Sequence, residues 1–167
     1  MNTQITNLKK LLQIIPSNHP ALRVVHFANK EHLLMNILQD IAKQYDLEYQ
    51  INLTDKNLLQ SMQEKYSSIH TKIINFDLNR NKYMIQGKLY DFAFVTTPIE
   101  KLDSFLQKTH PIIKNSGNII FLLPKATNIT SYTELLEKNY FVATSIIDDL
   151  LENESVIISR KMHGWGG

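Results

Sequence analysis

Few side chains in this 167-residue chain have the types and spacing that chemistry needs. With no cysteine, a thiolate nucleophile, a thiolate-held metal and a disulfide framework are all excluded. His26, His32, His70, His110 and His163 fall into no HExxH or comparable ligand spacing. His26 and His32 lie near one expected strand end and could converge on an ion, but ordinary hydrogen-bonded histidines account for them better, and no metal is expected. Asp77, Thr96 and Lys125 each close or follow a strand-like run, the order that a phosphoacceptor aspartate site requires. Such a site also holds Mg²⁺ on an acidic pair after the first strand, and the run from His26 to Lys30 carries no acid. The last residues, from Arg160 to Gly167, set Trp165 between glycines behind basic side chains. Trp165 reads either as a ring tucked into a groove or as a recognition element that docks on a partner or stacks on a nucleobase.

Positioning any of these groups takes a folded scaffold, and the composition provides for one. Hydrophobic residues make up 43% and charged residues 20%, the balance of a globular domain. The net charge of +2 is spread without a long basic run, so no membrane-surface partner is expected and nucleic acid has little electrostatic support. Ile5, Leu8, Leu12 and Ile15 have helical spacing, but Lys9, Lys10 and Pro16 interrupt the apolar run. Neither a secretory leader nor a membrane span is expected, and the cytoplasm is the expected compartment.

The elements read as follows. Residues 1–18 form a capping helix stopped by Pro16, residues 21–162 an α/β unit, and residues 163–167 a tail. Strand-like runs cover 23–29, 48–54, 72–77, 90–95 and 118–124, and helical patterns follow four of them. Thr54 and Asp55 suit a helix cap, residues 114–118 a turn. Two final strands, 140–147 and 155–161, have no room for a helix between them and should pair antiparallel. Alternating strands and helices imply a mostly parallel sheet, with ligands bound at the carboxyl ends of the strands where strand order reverses.

This order of elements, with YDFAFVTTP as a fourth-strand segment and HPIIKNSGNIIFLLPK as a fifth-strand region, resembles the core of class I S-adenosylmethionine-dependent methyltransferases over roughly residues 23–161. The resemblance implies a Rossmann-like three-layer α/β sandwich, a mostly parallel seven-stranded sheet ending in an antiparallel hairpin, and S-adenosylmethionine as cofactor. It places His26, Phe27, Ala28 and Asn29 at the loop that carries the cofactor's methionine part, and Asp55 at the acid that accepts from the ribose hydroxyls. Asp77 falls at the position that touches the adenine amine, Leu78 beside the ring, and Thr96 near the substrate. Asp55 equally suits a helix cap and Asp77 a solvated turn.

The departures are specific. The family's loop after the first strand is acidic and glycine-rich; residues 26–31 here contain no glycine, so side chains would intrude on the cofactor. Amine-methylating members carry an Asn or Asp, two prolines and an aromatic residue after the fourth strand; Thr96, Thr97, Pro98 and Ile99 keep one proline. The expectation is a divergent methyltransferase-like protein that has lost catalysis and binds a small molecule or a protein through the crevice or the tail. The alternatives are an active methyltransferase of a small molecule or RNA with an atypical loop, and an RNA-binding module using Arg80, Lys82, Lys88 and the basic tail.

Overall fold

The computed structural model describes residues 3–84 and 86–162; the Trp165 tail lies outside the described residues. Strand β1 (Arg23–Ala28) is buried on both faces, as its apolar residues require. Helix α2 (Leu33–Tyr45) follows and buries Leu34, Met35, Ile37, Leu38 and Ala42. It stops where Asp46 turns left-handed at φ 55°, an end geometry that frees the chain to re-enter the sheet. Strand β2 (Glu48–Leu53), helix α3 (Leu59–Tyr66) and strand β3 (Thr71–Asn75) complete the first half. Helix α1 (Thr3–Leu11) packs ahead of them and continues as a 3-10 turn, Leu12–Ile14.

Strand β4 (Tyr90–Val95), helix α4 (Leu102–Thr109), strand β5 (Ile113–Pro124), helix α5 (Ile129–Lys138), strand β6 (Phe141–Ile147) and strand β7 (Glu154–Lys161) form the second half. The sheet runs β3-β2-β1-β4-β5-β7-β6, with β7 antiparallel to both neighbours and the other pairings parallel. Strand order therefore reverses between β1 and β4, which opens a crevice over their carboxyl ends. The expected three-layer sandwich and terminal hairpin are both present.

Alternation along β1 divides the core. Val24 and Ala28 face α1, α2 and α3, whereas Val25 and Phe27 face α4 and α5. Two elements differ from expectation. The third strand ends at Asn75 rather than Asp77, because Asp77 turns the chain by accepting the Asn79 N–H at 2.9 Å. Residues 114–118 are not a turn between elements but part of β5, which begins at Ile113. Tyr90 lies opposite Ile113 and Phe92 opposite Asn118, so residues 114–117 bulge out of the ladder. The residues are turn-like, with Ser116 at φ 66°, yet the strand is recovered on either side.

Candidate functional site

Three adjoining clefts run along the carboxyl ends of the strands. The first, about 300 Å³, lies over β1, β4 and the start of α4; its lining includes Asn29, Leu78, Asn79, Thr97 and Ile99. A second, about 500 Å³, extends past Asp55 and Asp77. A third, about 360 Å³, continues from Asn29 and Thr96 toward Tyr132 and Glu154. They share residues and form one trough across the reversal point.

The residues expected to carry the site divide between this trough and the core. His26 is fully buried in β1; its Nδ1 lies 2.7 Å from Tyr49 Oη and its Nε2 2.8 Å from Thr96 Oγ1. Burial, with a smaller contribution from His32, lowers its pKa to about 3, so the ring is neutral. A neutral imidazole donates from one nitrogen and accepts at the other, so Tyr49, His26 and Thr96 form one buried chain of hydrogen bonds. Phe27 does not crowd the crevice as expected. Its side chain points to the opposite side of the pleat and packs against Phe76, Tyr83 and Phe105 at ring separations of 5.4, 5.8 and 5.2 Å. What Phe27 offers the site is its carbonyl, which accepts the Thr96 N–H at 3.0 Å. Ala28 is buried, its carbonyl taken by the Thr54 N–H at 2.8 Å.

Asn29, Leu78 and Thr96 line the trough. Asp55 and Asp77 reach it too, each with a carboxylate oxygen bound to a backbone N–H. Asp55 accepts from Asn57 at 3.0 Å and caps the 3-10 turn Lys56–Leu58; Asp77 accepts from Asn79.

The loop after β1 is clamped at both sides. Glu31 is held by Lys65 and the Tyr66 hydroxyl, which together depress its carboxyl pKa. His32 Nδ1 accepts the Leu34 N–H at 3.0 Å and caps α2, which fixes the tautomer; Nε2–H is left to donate to Glu154 at 3.0 Å. Both ring nitrogens are committed, and the loop is tied to α3 and to β7. No group of three or more potential metal ligands occurs among the described residues.

Sequence reasoning missed several trough residues. Lys101, Ser104, Phe105 and Lys108 all line the first cleft; Ser104 and Lys108, four residues apart, share a face of α4, and Lys101 stands in the bend just before the helix. Tyr83 left no such signal: it reaches the core from the irregular crossover between β3 and β4, where its hydroxyl donates to Leu78 O at 2.6 Å.

No family model and no curated protein matches the sequence. Solved structures do match. A tRNA methyltransferase, TrmI, from Aquifex aeolicus superposes with a TM-score of 0.73 at 17% identity over 97% of this chain and 70% of its own. An S-adenosylmethionine-dependent O-methyltransferase from Thermotoga maritima gives 0.73 at 11% identity over 94% of this chain and 65% of its own. A phosphoethanolamine N-methyltransferase from Haemonchus contortus, solved with S-adenosylhomocysteine, gives 0.72 at 11% identity over 95% of this chain and 53% of its own. The chain thus has the class I methyltransferase fold, and it spans only about half to two thirds of the last two structures.

The residues present do not fit S-adenosylmethionine well. The loop after β1 has no glycine and no positive φ, so its backbone does not open toward a ligand in the way a glycine-rich loop does. Asp55, the one acid available for a ribose diol, already caps a turn. Glu31, which could meet an ammonium group, is turned to Lys65 and Tyr66.

Proposed function

We propose that this chain is a methyltransferase-fold binding protein: the trough over β1–β4 holds a small molecule, and methyl transfer has been given up. What carries this reading is an open crevice whose two histidines are fully engaged and whose aspartates each brace a turn. A general base must present a lone pair within reach of the proton it takes. His26 is neutral inside the core, both His32 nitrogens are occupied, Glu31 is turned to Lys65 and Tyr66, and Asp55 and Asp77 each keep one carboxylate oxygen on the N–H of their own turn. Glu100, the remaining carboxylate of the first cleft, is exposed at the rim. The crevice itself keeps the apolar walls and scattered polar groups of a ligand pocket.

Proximity alone can drive methyl transfer to an acceptor that is already nucleophilic, so the test must look for transfer directly. The full chain is incubated with methyl-labelled S-adenosylmethionine and pools of RNA, protein and small metabolites. The expected outcome is incorporation no greater than with heat-denatured protein. Incorporation that is lost in Thr96→Val would overturn the reading and make the chain an active methyltransferase.

A further inference from the structure

The first cleft carries a charge that neither the core nor the fold requires. Lys108 is half-buried on α4; its Nζ lies 3.5 Å from Leu78 O and 5.6 Å from the Tyr83 ring centroid, and no carboxylate pairs with it among the described residues. Lys101, exposed in the bend just ahead of α4, also lines the cleft and is likewise without an acidic partner among the described residues. The other lysines that are not fully exposed differ: Lys88 and Lys114 are matched to Glu48 and Asp91, and buried Lys161 donates to His110 O and Ile113 O at 2.9 Å each. A half-buried ammonium loses part of its hydration, and one long contact to a carbonyl and one ring face return only part of it, with no opposite charge. An anion in the cleft would supply the missing partner.

We infer that the cleft binds a phosphate-bearing nucleoside, a free mononucleotide, with its phosphate on Lys101 and Lys108 and its base between Leu78 and Ile99. The inference rests on the binding reading above and narrows its ligand. The walls support the assignment: Leu78 and Ile99 are apolar, and Asn29 and Asn79 at the edge offer both donors and acceptors to a heteroaromatic ring. At about 300 Å³ the cleft is at the small end of ligand pockets, suited to one small organic molecule.

The test is calorimetric titration of the full chain with the four nucleoside monophosphates, their parent nucleosides, S-adenosylhomocysteine and a short single-stranded oligonucleotide. Lys108→Met is run in parallel, because it keeps the aliphatic stem over Tyr83 and removes the charge. At least one monophosphate should bind about tenfold or more tightly than its nucleoside, the gain expected of a hydrogen-bonded charge pair. Lys108→Met should abolish that difference while leaving the melting temperature unchanged, and added salt should weaken the monophosphate alone. Nucleoside and monophosphate binding equally, S-adenosylhomocysteine binding most tightly, or no ligand binding would each overturn the inference, and an oligonucleotide preferred about tenfold would overturn its small-molecule form. None of these outcomes produces labelled methyl transfer, so this inference can fail while the reading of an inert binding protein stands.

Discussion

His26 shows how a site position can be legible while its role is not. The resemblance places it where the family's loop begins, and it does reach the trough, but only through Thr96. From sequence, a histidine in an apolar strand leaves open whether it titrates, binds a ligand or is buried. Its partners decide, and Tyr49 and Thr96 lie 23 and 70 residues away in sequence. Burial lowers its folded pKa to about 3 from an ordinary value of 6.5. Between these values the unfolded chain binds a proton that the folded chain does not. Stability from this group is therefore complete above pH 6.5 and is lost as pH falls toward 3, at up to about 1.4 kcal/mol per pH unit. His26→Gln should be less stable at neutral pH and should show a flatter loss of stability on acidification across that window. Urea titrations at successive pH values measure this, and equal slopes in the two proteins would remove His26 as the source. Leaving the ring in place and deleting its partner gives a complementary result: Thr96→Val strands Nε2 and should cost about 1–3 kcal/mol.

At the scale of elements, period and turn chemistry made most strands and helices readable, because β1 and the second half of β5 are continuous apolar runs and α2 has a clear apolar stripe. Two segments were not readable. The crossover from β3 to β4 has neither period, and its contribution to the core comes from Phe76 and Tyr83 meeting at 4.9 Å. Residues 114–117 have turn composition but sit inside a strand, since a bulge looks locally like a turn and only the neighbouring strand reveals that pairing resumes. Gly117 is what makes this bulge possible. A Cβ there would lie 2.9 Å from both Asp91 O and Lys114 O and 2.7 Å from Ile113 Cγ2, and the backbone oxygens cannot rotate aside. Gly117→Ala should therefore cost about 1–3 kcal/mol, as overpacking does, and lower the melting temperature by several degrees. An unchanged melt would mean that β4 and β5 can separate locally without loss.

At the scale of the molecule, the division of residues 1–18 from the α/β unit describes the sequence better than the packing. Pro16 does interrupt the chain, yet Leu8, Leu11, Leu12 and Ile15 are buried in the same cluster as Val24, Leu38 and Tyr49. Asn7 Nδ2 donates to Leu150 O at 2.7 Å and fastens α1 to the turn between β6 and β7, 143 residues away. A break in period marks where an element ends, but it carries no information about how much surface that element covers. The energetic consequence is large. Each of the four buried side chains contributes about 1.5–3 kcal/mol, so together they supply up to about 6–12 kcal/mol. A domain of this kind has a net stability of about 5–15 kcal/mol, so a chain starting after residue 18 should have little or none left. It should lose the cooperative thermal transition of the full chain by circular dichroism and expose apolar surface to a hydrophobic dye. The point variant Leu8→Ala provides the graded case, with an expected loss of about 2–5 kcal/mol. A truncated chain that melts cooperatively within a few degrees of the full one would show that α1 is an accessory to a core already stable on its own, and that the face of α2 beneath it tolerates water.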